Sequence, residues 1–210
     1  MTDTKQRLLD GALAVLQEQG ITGVSARSIA TAAGANQALV FYHFGSVHEL
    51  LAAACQQATS ARVAAYAERF AAVTSLRELL QVGRDLHAEE LRQGNVAVLA
   101  QMLAAGQHGG RIAEATAAAL GLWVAEIEKV LHRLLVTSPV AEIADVPGLA
   151  RAVAAAFIGL ELYEGVDPAG SRSALEALDQ LAVLVEVVDE LGPLARRAVR
   201  SRIKRAAAPR

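Results

Sequence analysis

The chain has 210 residues, and its 53% hydrophobic content is mostly Ala and Leu with only 4% aromatic residues, a composition that suits packed helices in one domain or a small domain beside a larger one. One cysteine, Cys55, excludes an internal disulfide. The mixed charge of the first ten residues speaks against a secretory signal, and the uncharged apolar runs Ala115–Ala125 and Ala152–Leu160 fall far short of the roughly 20 residues of a membrane span, so a cytoplasmic, soluble protein is expected.

The formal net charge of −2 hides a polarity. Seven of the 20 basic residues (Arg196, Arg197, Arg200, Arg202, Lys204, Arg205 and Arg210) crowd into 194–210, which holds no acid. This leaves thirteen against 22 acidic groups elsewhere. Residues 1–50 are not basic: Lys5, Arg7 and Arg27 face Asp3, Asp10, Glu18 and Glu49, which counts against nucleic-acid binding on electrostatic grounds alone.

Helical periodicity begins at once. Leu9, Leu13 and Leu16 form one stripe, and the first helix is expected to stop at Gly20, with Ile21–Val24 a turn. Ser25 caps a second helix, Ala26–Ala33, which Gly34 ends, and Asn36 caps a third over Gln37–His43. Three Ser-x-x-Glu boxes, Ser46/Glu49, Ser75/Glu78 and Ser173/Glu176, mark later helix starts. The fourth helix is expected over Val47–Ala71, the fifth over Leu76–Arg92, a short sixth near Val96–Ala105 and a long seventh near Ile112–Leu135. A loop then runs to Asp145, whose pairing with Pro147 opens a helix that ends near Tyr163–Gly165. Gly165–Gly170 reads as a turn, and the last main helix as Ser173–Leu191. No stretch alternates with the period of a strand, so the fold class is all-α.

Ser25–Leu50 carries the most information. Two short helices meet at Ala33-Gly34-Ala35 and need the first helix to cover their apolar faces. Val40 and Phe44, four residues apart, face that core, which turns Gln37, Ala38, Leu39, Phe41 and Tyr42 outward. A leucine and two aromatics suit thymine methyls and sugar–phosphate edges better than open water. The shape is that of a helix-turn-helix. From the residues alone, two alternatives stay open: a helical module whose outer face packs on another protein, and an enzyme without a recognisable motif. The histidines (His43, His48, His87, His108, His132) show no metal spacing, and Gly109-Gly110 follows no strand, so neither metal nor cofactor is expected.

The pattern Gly20-Ile21…Ser25-x-Arg27-x-Ile29-Ala30-x-x-Ala33-Gly34-Ala35-Asn36…Tyr42-His43-Phe44-x-Ser46-x-x-x-Leu50 resembles the TetR (tetracycline-repressor) family of transcriptional regulators. The likeness is detailed over about residues 5–51 and elsewhere rests on helix count and order. It implies a homodimer with an N-terminal helix-turn-helix domain (1–46) and a C-terminal helical bundle for ligand binding and dimerisation (47–193), here followed by the basic tail (194–210). It also implies double-stranded DNA with a near-palindromic operator as partner, and a repressor released by a small-molecule effector. Carried over by position, Ser25, Arg27, Gln37, Leu39, Phe41, Tyr42 and His43 match DNA-contacting positions, and Ala38 shares their helix face. Two positions depart from the family pattern: Phe41 stands where a tyrosine is common, and Val47 where a lysine is usual. Few cationic phosphate contacts therefore remain in the head, and a modest salt dependence is expected.

In the body, Leu149–Leu162 and the last main helix are apolar over wide faces. They are expected to pair with their counterparts in a second subunit, with Ala150, Ala154 and Gly159 allowing close approach. Polar and aromatic residues set in the body helices are the candidates for an effector pocket: Tyr66, Phe70, His87, Gln101, Met102, Trp123, Phe157 and Glu161.

Overall fold

The computed structural model describes residues 2–136, 138, 144–189, 192, 198 and 201, with side chains at all of these except 2, 181, 182, 184–186, 188 and 189. The described residues form nine helices: α1 (Thr2–Gly23), α2 (Ala26–Ala32), α3 (Ala38–Phe44), α4 (Val47–Ala72), α5 (Leu76–Arg92), α6 (Asn95–Gly106), α7 (Gly110–Leu135), α8 (Val146–Glu164) and α9 (Pro168–Asp189). The basic tail lies outside the described residues, apart from Ala198 and Ser201.

Several helix ends follow directly from their caps. Ser25 Oγ accepts the Ser28 N–H at 3.1 Å while Ser28 Oγ accepts the Ser25 N–H at 2.9 Å, a reciprocal box closed by serine rather than glutamate. Asn36 Oδ1 accepts the Ala38 N–H at 2.8 Å and so starts α3 as its sequence predicts. Ser46 and Ser75 also cap through their hydroxyls. Glu49 turns away to pair with Arg111, whereas Glu78 accepts chiefly from the backbone and hydroxyl of Thr74 and also from the Ser75 backbone. Asp145 Oδ1 accepts the Gly148 N–H at 3.1 Å, with a proline in the first turn of α8.

Two helix ends differ from expectation. Gly20 does break α1, with φ 72° and ψ 178°, but residues 21–23 add one more helical turn instead of a plain loop. The break frees the Ile21 N–H, and Gln101 Oε1 accepts it at 2.6 Å. At the other end, α9 starts at Pro168 and not at Ser173. Asp167 is the cap: its Oδ1 accepts the Gly170 N–H at 2.9 Å, and hydrogen bonds from Gly170 and Tyr163 hold its carboxyl below the usual aspartate range. With Pro168 pre-set for a first helical turn, Ser173 falls inside the helix.

The chain divides into two compact units. Unit 1 comprises Met1–Ala65 with Ala88–Leu122, and unit 2 comprises Tyr66–His87 with Trp123–Arg210. This division differs from a cut at 46/47, because the start of α4 belongs with α1. Leu50 and Ala54 join Leu8, Leu9, Ala12, Val15, Ile29 and Val40 in one buried cluster. Leu51, Cys55, Met102 and Ile112 gather around Leu16 in a second. Unit 2 has its own core of Phe70, Val73, Leu79, Val82, Ile127, Val130, Leu131, Leu135 and Ala150.

Within unit 2, α8 packs on α9. With 19 residues and a mean hydropathy of 1.4, α8 is by length and composition in the range of a membrane span, beyond what the short uncharged runs suggest. It nevertheless carries Arg151 and Glu161. Leu149, Leu162 and Tyr163 on α8 stay exposed, as do Val183 and Val187 on α9. Ala150, in contrast, is fully buried in the core of its own unit, so its small size serves packing within the chain and not an external helix.

Candidate nucleic-acid interface and body cleft

The geometry of α3 is set by what lies beneath it. Val40 is fully buried against α1 and α2, and Phe44 packs on the same cluster from the helix end. Gly11 lets α1 approach α2 closely: a Cβ there would stand 3.1 Å from the Ala33 nitrogen and the Ile29 oxygen. Gly34 takes φ 57° at the turn, a conformation that side-chain-bearing residues seldom adopt. Arg7 on α1 fixes that turn, its Nη1 donating to the carbonyls of Ala33 (3.3 Å) and Gly34 (3.4 Å) while Asp3 pairs with its Nε. These contacts present α3 as a rigid ridge.

On that ridge Tyr42 is 71% exposed and Phe41 49%, beside exposed Gln37 and Ala38. The Tyr42 ring stands edge-on to His43, with centroids 4.9 Å apart. Two of the expected contacts are less available. Leu39 is half-buried and leans on the core cluster, and His43 is half-buried between its aromatic neighbours. Leu39 precedes Val40 and joins Phe44 and Val47 among the partly buried side chains packed against that cluster.

On α2, Arg27 is exposed, and Ser25 is exposed with its hydroxyl engaged in the cap. A contact absent from the sequence expectations also emerges. Lys5 Nζ lies 5.5 Å from the centroid of Phe44, bringing a cation from α1 to the end of α3. Its signal in the sequence was faint, because Lys5 stands 39 residues before Phe44 and only the packing of α1 brings them together. Val47 starts α4 where the family pattern has a lysine, and Lys5 and Arg27 are cations carried by α1 and α2 of the head.

The body residues separate into three places. In unit 1, Met102 is buried beside Leu16 and Leu51, and Gln101 is bound to the Ile21 N–H. In unit 2, Tyr66, Phe70 and Trp123 form an aromatic cluster with centroid separations of 6.2 Å (Tyr66–Trp123) and 6.3 Å (Phe70–Trp123), and Phe70 is buried in the core. The remaining three, His87, Phe157 and Glu161, come together at a cleft of about 200 Å³ in unit 2. Arg84, Leu160, Glu164, Pro168, Ser171, Arg172 and Leu175 complete its lining.

Of these, Arg84, Glu164 and Arg172 were missed from sequence, since a charged residue on a helix reads as solvated surface. The Phe157 ring lies directly against Gly83, where any Cβ would collide with it. Arg84 pairs with Asp179, His87 Nε2 is hydrogen-bonded to Glu164, and His87 Nδ1 lies 3.5 Å from Glu161. Among the described residues, no group of His, Cys, Asp or Glu is arranged to hold a metal ion.

Residues 8–54 match the sequence profile of the bacterial regulatory proteins of the tetR family. Solved structures share the fold over nearly the whole chain. A candidate TetR-family transcriptional regulator from Rhodococcus sp. aligns with a TM-score of 0.71 at 20% identity, covering 88% of this chain and 99% of that one. The multidrug binding protein EbrR, complexed with proflavin, aligns with a TM-score of 0.58 at 27% identity, covering 85% and 99%. The fatty acid degradation regulator FadR from Bacillus halodurans aligns with a TM-score of 0.68 at 15% identity, covering 84% and 96%. No curated protein sequence matches the chain. The three-helix head with its exposed α3 matches the DNA-binding domain of the tetR family over residues 8–54, and the body shares the fold of solved TetR-type regulators, which supports an all-α, DNA-binding transcriptional regulator.

Proposed function

We propose that the protein is a homodimeric repressor that occupies a near-palindromic operator in the cytoplasm and leaves it when a small molecule binds the cleft of unit 2. The observation that carries the DNA half is the exposure of Tyr42 and Phe41 beside Gln37 on a helix whose other face is locked by Val40. An aromatic ridge of this kind costs free energy in water and gains it in a major groove. DNA reading is assigned to Gln37, Ala38, Phe41 and Tyr42, with Arg27, Lys5, Ser25 and His43 at the backbone and Leu39 in a minor role.

The dimer is assigned to α8 and α9. Leu149, Leu162, Tyr163, Val183 and Val187 leave a wide apolar surface there, and among the described residues no atom lies within 4 Å of where a Cβ on Gly159 would stand. Two heads held one turn of DNA apart, or a multiple of it, would explain how a head with few cations becomes specific.

For the effector, the similar structure of EbrR bound to proflavin supports a ligand-accepting body. Helix α4 runs unbroken from residues of unit 1 into residues of unit 2, so it is the element assigned to carry the response. The ligand can shift the equilibrium only by its difference in affinity for the two states. The family consists of transcriptional regulators, and the cleft is accordingly assigned to binding and not to catalysis.

A mobility-shift assay with DNA from upstream of the protein's own coding region tests this reading. Specific retention that is lost on Tyr42→Ala supports it. Retention unaffected by that change, or no retention of any fragment, overturns it.

A further inference from the structure

The cleft of unit 2 holds an arrangement that DNA binding does not use. Glu161 and Glu164 are three residues apart on α8 and both address the imidazole of His87 on α5. The side chains of His87 and Glu161 are only 12% and 13% exposed. Nε2 is hydrogen-bonded to Glu164, whereas Nδ1 is buried, makes no hydrogen bond and sits 3.5 Å from Glu161 Oε1. A neutral imidazole has one N–H to give, and even the protonated ring carries its two donors on separate, divergent nitrogens. The ring thus meets one carboxylate and leaves its own second nitrogen unmatched beside the other.

The remaining lining sets the polarity and size of the site. Arg84 is already paired with Asp179, and Arg172 is exposed, where water meets its charge. Phe157, Leu160, Pro168 and Leu175 supply apolar walls. The volume of about 200 Å³ has room for a ligand of roughly ten non-hydrogen atoms.

We propose that this cleft binds a compact protonated amine, whose ammonium group replaces the His87 imidazole between Glu161 and Glu164 while its apolar body lies against Phe157, Leu160 and Leu175. A primary ammonium carries three donors on one atom and can give charge-assisted hydrogen bonds to both carboxylates at once. Its arrival displaces the imidazole that ties α5 to α8. The inference rests on the reading of this cleft as the effector site, and its test is separable from that reading.

The test is calorimetric titration of the full-length protein with phenethylamine and cyclohexylmethylamine, their alcohol counterparts, and the matching carboxylates. The amines are expected to bind at least about tenfold more tightly than the alcohols, and the carboxylates most weakly. Glu164→Gln should reduce amine affinity by about tenfold or more and alcohol affinity by clearly less. His87→Ala, which removes the competing ring, should raise amine affinity and enlarge the amine-induced rise in Tm. Should Glu164→Gln fail to fold, the ligand series on the unaltered protein still decides. Equal affinity for amine and alcohol, preference for the carboxylate, no binding by any amine, or weaker amine binding by His87→Ala would overturn the proposal. Operator release is read separately by mobility shift: amine binding without release supports the ligand class and refutes the effector role of the cleft.

Discussion

Replacing Tyr42 with phenylalanine removes one hydroxyl and nothing else from the most exposed aromatic of α3. At 71% exposure the hydroxyl contributes little to folding, so stability should stay within about 0.5 kcal/mol of the parent. In the operator complex, a hydrogen bond to a neutral base edge is worth about 0.5–1.5 kcal/mol net, and a dimer makes it twice. The loss is therefore about 1–3 kcal/mol, or roughly 5- to 150-fold in Kd. Fluorescence anisotropy with a labelled operator measures it, beside a thermal melt of the same preparation. An unchanged Kd with an unchanged Tm would refute the placement of Tyr42 at the DNA. A lowered Tm would show instead that the hydroxyl supports the fold.

Gln101→Ala should cost about 1–3 kcal/mol in urea unfolding, because it strands the Ile21 N–H at the Gly20 break; an unaltered midpoint would mean that water replaces the amide. Burial raises the Cys55 thiol to about 11, so at pH 7.5 only about one molecule in three thousand carries the thiolate, and labelling by a disulfide reagent should wait for unfolding. Rapid labelling of the native protein would contradict that burial. Asp167 titrates below its unfolded value when folded, so its contribution is present above about pH 3.9 and fades as pH falls through the lowered folded value. Asp167→Ala should therefore be less stable than the parent at pH 6, with the gap narrowing towards pH 2, and a gap independent of pH would rule out the carboxylate cap.

Much of the fold is legible in the residues because caps and breaks are local. Ser25, Asn36, Ser46, Ser75 and Asp145 each start a helix through atoms within three positions of themselves. What escapes the sequence depends on distant partners or on a choice between near-equal local signals. The extra turn after Gly20 needs an amide 80 residues away. The start of α9 offers two caps, and Asp167 followed by Pro168 prevails over Ser173 with Glu176 because proline pre-sets the first turn.

The candidate sites divide in the same way. Val40 inward and Tyr42 outward follow from helical spacing, but the half-burial of Leu39 and the approach of Lys5 to Phe44 are set by how α1 packs. In the body, aromatic and polar residues set in the helices led to His87, Phe157 and Glu161, which meet at the cleft. The same criterion also drew in Phe70 and Met102, which are core, and Gln101, which closes a helix break. Side-chain type marks what is unusual in a helix, but only packing decides whether it faces a core, a backbone amide or a cavity.

The central claim is that two copies of α3 read a two-fold symmetric DNA sequence. An unbiased selection from random duplexes with the full-length protein tests it directly, followed by a stoichiometric titration on the winning sequence. The expected result is an inverted repeat with half-sites about one helical turn apart, bound by two chains and lost on Tyr42→Ala. Enrichment of no sequence, or of an asymmetric site bound by a single chain, would contradict it.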